Sequence, residues 1–263
     1  MKNKQYNELA VCGLAAVKAL AKEHPEQIRR FYFSNERASL FGDLCKRLAK
    51  QKSPYNLVDS KDLEKLSGTV HHQGVVAMIN RIKLTPLTPS VTEGWISKKE
   101  NVLLLDRIGN ANNLGAIVRS AAFFGIKNII ISVNEEQSAI TTSTYRVAQG
   151  GMEYVSIYLV RSMVRFLQDM QGKMVRIGTD VRAETYVSNL KTICGNKNAI
   201  IVLGNEEYGI SQVVKENCDH LVVIPSVNMA TATDDTTDTN TPIESLNVAQ
   251  AAAIILYEVA KLK

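Results

Sequence analysis

The sequence predicts an α/β protein in which a small N-terminal α/β domain precedes a larger domain built on a mainly parallel sheet. Helical and strand patterns alternate along the chain. Beyond residue 99 the strand patterns are apolar nearly throughout, which indicates strands buried on both faces and covered by helices, as in parallel sheets. Hydrophobic residues make up 45% of the 263 residues and charged residues 22%, which excludes collagen-like and wholly disordered chains.

The N-terminal part is predicted to begin with a helix. Apolar residues recur at helical spacing over residues 8–21, and His24-Pro25 ends the pattern. The predicted elements that follow are a strand at 28–33, a helix at 38–51, a strand at 56–58, a helix at 61–66 and a strand at 74–79. Pro86, Pro89 and Gly94 mark a change in composition that is typical of a linker. The predicted division is a domain at 1–80, a linker at 81–98 and a domain at 99–263.

The C-terminal part has a stronger alternation. Strands are predicted at 102–105, 128–133, 154–160, 174–179, 199–203 and 221–224, and helices at 114–124, 161–170, 208–217 and 246–261. Ligands of parallel sheets bind beyond the carboxyl ends of the strands. The segments after Leu105, Thr179, Leu203 and Ile224 are therefore the candidate functional loops.

Basic residues are concentrated in the N-terminal part. Residues 1–98 contain 16 Lys/Arg and 9 Asp/Glu, whereas residues 99–263 contain 15 and 17. One cluster consists of Lys46, Arg47, Lys50 and Lys52. A basic surface attracts phosphate backbones, so a polyanionic partner is one interpretation, and an ordinary solvated surface is the other.

The sequence gives no sign of a membrane span, a disulfide framework or a metal site. Apolar runs such as 249–257 are far shorter than the ~20 residues that cross a bilayer. The four cysteines are scattered without a C-x-x-C pair. Two adjacent side chains such as His71 and His72 point to opposite faces wherever they lie on a strand, which argues against a metal site at this pair. These observations predict a soluble, cytoplasmic protein with reduced thiols and no metal.

Three loops carry the candidate chemistry. In the first, Asn113 is a natural helix cap, Gly115 allows close approach of another backbone, and Arg119 lies roughly on the same side of the helix as Gly115. In the second, Gly204 can expose backbone groups to a ligand, and the carboxylate of Glu206 can accept a hydrogen bond from a hydroxyl or bind an arginine side chain. The third runs from Ile224-Pro225 to a helix that Ser245 or Asn247 can cap. Each segment taken alone also fits a purely structural role. Dinucleotide and P-loop fingerprints are absent from the sequence.

Together the three loops resemble the signature motifs of one enzyme family. The segments N-x-G-x-x-x-R-x-A at 113–121, L-G-N-E-x-x-G at 203–209 and I-P…S-L-N-V at 224–248 resemble those of the SpoU, or TrmH-like, RNA ribose 2′-O-methyltransferases of the SPOUT superfamily. Residues 67–76 are similar to the end of that family's substrate-binding domain. The resemblance implies a knotted α/β catalytic domain, a homodimer and an RNA substrate, either tRNA or rRNA. DNA is excluded as a substrate because only RNA carries the 2′-hydroxyl.

The resemblance also implies the cofactor and the site residues. S-adenosyl-L-methionine is expected to be held largely by backbone groups at Gly204, Ile224 and Leu246, with Leu203, Pro225 and Thr179 as neighbours. Arg119 matches the arginine to which activation of the ribose hydroxyl is assigned, and Asn113 matches the asparagine that shapes this site. Glu206, Ser245 and Asn247 match the acid of the second motif and the pair of the third, which are expected to orient Arg119, the substrate ribose and the knot. Because a guanidinium gives up its proton only under strongly basic conditions, phosphate positioning and stabilisation of the developing alkoxide are alternatives to a role as base.

The third motif departs from the family pattern. Nineteen residues, 226–244, separate Pro225 from Ser245, where the family has a short loop. The segment is rich in Thr and Asp and predicts a flexible loop beside the cofactor site. It keeps a second function open, an RNA-binding pseudoenzyme without productive cofactor binding. A small-molecule α/β enzyme is a third, weaker alternative.

Overall fold

A computed structural model describes residues 7–134, 136–226 and 245–262 of the protein. The strands are β1 (Glu8–Cys12), β2 (Ile28–Phe33), β3 (Tyr55–Leu57), β4 (Val75–Asn80), β5 (Thr85–Pro86), β6 (Val102–Leu105), β7 (Asn128–Ser132), β8 (Ser156–Val160), β9 (Val175–Thr179), β10 (Thr185–Tyr186), β11 (Ala199–Leu203) and β12 (His220–Val223). The helices are α1 (Leu14–Glu23), α2 (Gly42–Lys50), α3 (Ser60–Ser67), α4 (Pro89–Ser97), α5 (Ala111–Phe123), α6 (Thr142–Ala148), α7 (Met163–Asp169), α8 (Leu190–Cys194), α9 (Gln212–Lys215) and α10 (Val248–Ala260).

The described chain divides into two compact units. Unit A consists of residues 7–83, 111–122 and 139–155, and unit B contains the remaining described residues. Unit A therefore combines the N-terminal segment with most of α5 and with α6, which follow it in sequence by about 30 and 60 residues. Each unit has its own sheet.

Unit A contains a four-stranded sheet in the order β1-β4-β2-β3. β1 and β2 both pair antiparallel with β4, and β3 pairs parallel with β2. The predicted helix over residues 8–21 is wrong in its first third, because Glu8–Cys12 is a strand buried along its whole length and Leu14 begins α1. Residues buried on both faces of a sheet are as apolar as a buried helix, so periodicity alone cannot separate the two.

Glycines allow the helices of unit A to pack closely. A Cβ added at Gly115 of α5 would lie 2.6 Å from the carbonyl oxygen of Thr144 in α6, which confirms the predicted close approach. A Cβ at Gly150 would lie 2.8 Å from the Cβ of Ala19 in α1, and one at Gly151 would lie 3.1 Å from the Cα of Arg119. Helix α6 itself is not among the predicted elements, since its seven residues are too short for a periodic signal.

Unit B contains an eight-stranded sheet in the order β10-β12-β9-β11-β6-β7-β8-β5, in which every pair is parallel. This confirms the predicted α/β fold with a mainly parallel sheet. Because β7 and β8 lie on one side of β6 while β11, β9 and β12 lie on the other, the order reverses between β6 and β11. Ligands of open parallel sheets bind at such a reversal, outside the carboxyl ends of the strands. The knot that the family resemblance implies stays a prediction.

The segment predicted as a linker is ordered structure in unit B. β5 pairs with β8, and α4 begins at Pro89, in the first helical turn where proline is tolerated. Trp95 of α4 is 3% exposed, packs edge-on against Tyr158 at 5.4 Å, and belongs to the main apolar cluster of unit B. The prolines that indicated a linker therefore begin a helix that covers the sheet.

The C-terminal helix α10 begins with the predicted cap. The side-chain oxygen of Asn247 accepts a hydrogen bond from Ala249 N at 2.9 Å. Of the long segment predicted as a flexible loop, 226–244, only Ser226 lies among the described residues. Within the described ranges, no helix combines the length and apolar character that crossing a bilayer requires.

Candidate active site

The carboxyl edge of the unit B sheet brings together most of the predicted cofactor residues. Thr179 ends β9, Leu203 ends β11 with Gly204 after it, and Ile224 and Pro225 follow β12. These strands are direct neighbours, with Val202 opposite Gly178 and Val222 opposite Thr179. The five positions therefore share one edge of the sheet, next to the reversal of strand order.

The loop after β11 is a tight, closed turn. Asn205 and Gly209 exchange both backbone hydrogen bonds, at 3.0 and 2.9 Å. The side-chain oxygen of Asn205 accepts from the N–H groups of Glu207 and Tyr208 at 2.9 and 3.1 Å. The predicted helix over 208–217 is wrong in extent, since α9 spans only Gln212–Lys215. These turn bonds occupy the backbone that a longer helix would need, and Glu206 is left on the exposed tip.

Hydrogen bonds connect this turn to the loop after β6. The buried carboxylate of Asp106 accepts from Ser211 N at 2.8 Å, and Asp106 N donates to Leu203 O at 2.8 Å. The amide of Asn205 donates to the carbonyl of Arg107 at 3.0 Å, and the guanidinium of Arg107 contacts Asp106 and Glu136 at 3.2 and 3.4 Å. Asp106, Arg107 and Asn205 thus hold two motif loops in one geometry. The sequence analysis missed all three, although Asn205 lies inside the second motif.

Gly204 lies at the centre of this arrangement. It is buried, and a Cβ at this position would lie 2.1 Å from the carbonyl carbon of Gly209. Among the described residues, the backbone N–H and C=O of Gly204 and the N–H of Ile224 have no hydrogen-bond partner. Buried backbone groups are rarely left unpaired, so those of the buried Gly204 in particular are suited to bind a ligand, with the half-buried Ile224 N–H beside them. The donor and acceptor set fits a cofactor that is bound by main-chain atoms.

The polar side chains around this edge are mostly engaged within the protein. The hydroxyl of Thr179 donates to Val202 O at 3.0 Å. Burial opposes ionisation of Asp180, but hydrogen bonds from Lys215 and from Arg182 N hold its pKa below the ordinary value. Ser245 and Leu246 are exposed just before α10, which packs against α8 and the turn that precedes it.

Arg119 and Asn113 belong to unit A. Helix α5 begins at Ala111, so Asn113 lies within its first turn and the prediction that it caps the helix is wrong. The side chain of Arg119 is exposed, and it lines a recess together with Arg146, Gln149 and residues of the N-terminal segment. Arg146 and Gln149 were missed by the sequence analysis because they come from the unpredicted helix α6 and the turn after it.

The two histidines have different environments. His72 is buried, its Nδ1 accepts from Gly74 N at 3.1 Å, and its Nε2 lies 3.3 Å from the hydroxyl of Ser60. His71 is exposed and lines the recess. Within the described part of the chain, no group of three or more His, Cys, Asp or Glu side chains could hold a metal ion.

Comparison with known proteins identifies the family. Residues 100–257 match the SpoU rRNA methylase family, and residues 10–84 match the domain described as RNA 2′-O ribose methyltransferase substrate binding. The chain belongs to the SpoU family. The membership inferred from the three motifs is therefore confirmed.

Relatives of this SpoU protein differ in length. An uncharacterized tRNA/rRNA methyltransferase of Haemophilus influenzae is 32% identical over 160 residues, which are 60% of this chain and 44% of the relative. The 23S rRNA (guanosine-2′-O-)-methyltransferase RlmB of Nitrosomonas europaea is 27% identical over 250 residues, which are 94% of this chain and 89% of that enzyme. The chain thus spans less than half of the first relative and most of the second.

A solved structure shares the fold. The SpoU methyltransferase AviRb of Streptomyces viridochromogenes, in complex with the cofactor AdoMet, matches with a TM-score of 0.68 at 20% identity. The match covers 99% of this chain and 92% of that one. The SpoU fold therefore extends over both units.

Proposed function

We propose that this SpoU protein transfers a methyl group from S-adenosylmethionine to the 2′-hydroxyl of a ribose in ribosomal or transfer RNA. The observation that carries the proposal is the shared carboxyl edge of β9, β11 and β12, where the predicted cofactor residues meet beside unpaired backbone groups. The relative from Nitrosomonas europaea, named for guanosine 2′-O-methylation of 23S rRNA, supports ribosomal RNA as the first substrate to test.

The cofactor is proposed to bind at this edge of unit B. Gly204 and Ile224 offer main-chain donors and acceptors, and Leu203, Pro225 and Thr179 flank them. Leu246, 45% exposed before α10, is proposed as a further contact. When bound, the cofactor supplies a methyl group on a positively charged sulfur.

Arg119 is proposed to act on the ribose through charge and position. A 2′-hydroxyl is a weak nucleophile until its proton leaves, so a group that stabilises the developing alkoxide accelerates transfer. The exposed guanidinium of Arg119 can also bind a backbone phosphate with its planar fork. The hydroxyl proton then passes to solvent rather than to Arg119.

The other site residues are proposed to shape the site. Asn113 lies on the same helix as Arg119, and Glu206 lies on the tip of the turn after β11. Ser245 and Asn247 set the start of α10, because the Asn247 side chain caps that helix. Their proposed roles are to orient the ribose, Arg119 and the cofactor loop.

RNA binding is proposed for the N-terminal domain, residues 1–80, and methyl transfer for the domain at 99–263; residues 84–98 of the predicted linker belong to unit B. The exposed lysines and arginine of the cluster at 46–52 support this proposal, since phosphate contacts dominate nucleic-acid affinity. DNA is not a substrate in this proposal because it lacks the acceptor. The proposed compartment is the cytoplasm, which agrees with the four free thiols.

The first test compares the enzyme with the pseudoenzyme, which the long segment between Pro225 and Ser245 favours. Calorimetry is expected to show S-adenosylmethionine binding with a micromolar Kd, about −8 kcal/mol. When the protein is incubated with labelled S-adenosylmethionine and RNA from cells that lack the gene, labelled methyl groups are expected in that RNA. Mapping of the ribose methylation then identifies the nucleotide. Absence of binding at millimolar cofactor, with RNA binding retained, would favour the pseudoenzyme.

A homodimer is also proposed, through an exposed aromatic patch of unit B. Phe123 and Tyr257 are 82% and 54% exposed, and both rings contact Phe124, with centroids 5.0 and 6.2 Å away. Ile254 lies three residues before Tyr257 and therefore on the same face of α10. Contiguous exposed apolar surface of this kind is typical of an interface. A second copy of the chain is the proposed occupant.

Sedimentation velocity tests the dimer with one charged substitution. Ile254→Glu is expected to raise the dimer dissociation constant by at least about a hundredfold, because it places an unpaired charge in the interface. Leu57→Glu, at a 57% exposed residue of unit A, is the control and is expected to leave the dimer intact. Dissociation by Leu57→Glu alone would place the interface elsewhere.

A further inference from the structure

A recess of about 260 Å³ opens in unit A beside Arg119. Four segments line it: Gly13 with the first turn of α1, the approach to β4, helix α5, and the end of α6 with the turn after it. The lining residues are Gly13, Ala15, Ala16, His71, Gln73, Arg119, Arg146, Val147 and Gln149. The recess therefore combines the N-terminal segment with the helix that carries Arg119. It is called the two-arginine recess below.

The lining of the two-arginine recess is rich in donors. No acidic residue lines it, and neither Arg119 nor Arg146 forms an ion pair among the described residues of unit A. The side-chain oxygen of Gln73 accepts a hydrogen bond from Leu14 N at 2.8 Å. The NH2 group of the same amide is the part that can donate to a ligand. Two guanidinium groups and an amide N–H without a carboxylate favour an anion as the ligand.

The two arginines come from neighbouring helices that a hydrogen bond connects. Arg146 donates to the side-chain oxygen of Asn112 at 3.4 Å. Asn112 lies seven residues before Arg119, which places both on one face of α5. Gly115 leaves no room for a Cβ against the carbonyl oxygen of Thr144, so α5 and α6 pack closely at this point. The hydrogen bond to Asn112 therefore brings Arg146 to the stripe of α5 that also carries Arg119.

The size of the recess indicates a small group. Pockets for drug-sized ligands occupy ~300–1,000 Å³, and this recess is smaller. A phosphodiester with its ribose is compact, carries one negative charge and presents two anionic oxygens to a fork of donors.

We propose that the two-arginine recess binds a phosphodiester of the RNA substrate next to the target ribose, and that Arg146 is a positioning residue for it. The inference rests on the proposed function and adds a phosphate subsite to it. In this proposal Arg146 binds the phosphate oxygens, Gln73 donates from the approach to β4, and Arg119 faces the ribose oxygen. The N-terminal segment thereby takes part in positioning the acceptor.

Salt-dependent binding of a 20-nucleotide single-stranded RNA to the full chain tests the proposal independently of catalysis. Arg146→Ala is expected to weaken RNA binding by about tenfold and to reduce the slope of log K against log salt by about 0.7, the value for one lost phosphate contact. Arg146→Lys is expected to keep the slope, because the charge remains, but to raise KM through loss of the fork. Arg165→Ala, a 76% exposed side chain of unit B, is the matched control.

The outcomes separate the two proposals. RNA binding without methylation by the unchanged protein would overturn the proposed function. The salt slope of Arg146→Ala would still test whether the two-arginine recess binds an RNA phosphate. A wild-type slope and KM in Arg146→Ala, with its thermal midpoint unchanged, would overturn the recess. Equal effects of Arg146→Ala and Arg165→Ala would also overturn it, since charge alone would then explain the loss.

Discussion

Replacement of Arg119 by alanine is expected to lower RNA methylation by at least about a hundredfold. Removal of one group that stabilises developing negative charge typically costs this much or more. Arg119 is exposed on α5, so the substitution leaves the packed face of the helix unchanged. Single-turnover methyl transfer to the RNA identified by mapping measures the effect. S-adenosylmethionine affinity is expected to stay within about twofold, because the proposed cofactor contacts are main-chain groups of unit B.

The lysine variant separates charge from geometry at this position. Arg119→Lys keeps the positive charge but loses the planar fork, so it is expected to be nearly as slow as the alanine variant. Arg161→Ala, at an exposed position of unit B, serves as the control and is expected to retain activity. Turnover by a folded Arg119→Ala protein at close to the normal rate would remove Arg119 from the mechanism.

Replacement of Gly204 by alanine is expected to have the largest effect on the cofactor site. The added Cβ would lie 2.1 and 2.2 Å from backbone atoms of Gly209 and Ile210, and neither can move without breaking the closed turn. Overpacking of this kind destabilises by about 3 kcal/mol, which lowers Tm by about 6–12 °C. Calorimetry with S-adenosylmethionine is expected to show binding weakened beyond detection at micromolar cofactor.

A second glycine provides the matched control in the same unit. Gly94 lies within α4, and a Cβ there would meet nothing within 4 Å. Because alanine is the better helix former by about 1 kcal/mol, Gly94→Ala is expected to keep or slightly raise Tm and to bind the cofactor normally. If Gly204→Ala bound the cofactor as tightly as Gly94→Ala, the turn after β11 would not be the cofactor loop.

The buried parallel sheet was predictable because its strands are apolar throughout. Residues 102–105 and 199–203 were predicted with the bounds that the structure gives, and both strands lie at the centre of the sheet. Continuous burial leaves the same signal at every position. The strand at 8–12 carries that signal as well, but it continues into the apolar face of α1, and the two elements merged into one predicted helix.

Only part of the candidate site could be predicted from the sequence. Gly204 and Ile224 follow predicted strands, so their common edge could be inferred. Asp106 bonds to Ser211 and Asn205 bonds to Arg107, and each bond joins residues about 100 positions apart in sequence. No local sequence pattern contains such a relation. The position of Arg146 beside Arg119 could not be predicted for a similar reason, because it depends on the close packing of α5 and α6 at Gly115.

The discontinuity of unit A limits which substitutions its segments can accept separately. Ala19 of the N-terminal segment touches the position of Gly150, so a larger residue at either position has no space. A chimera that takes residues 10–84 from a relative would bring a foreign α1 against the native turn at 150–151. Compatible exchange requires residues 111–122 and 139–155 from the same donor. Evolution of the proposed RNA preference is therefore expected to proceed by coordinated change in three separate stretches of the gene.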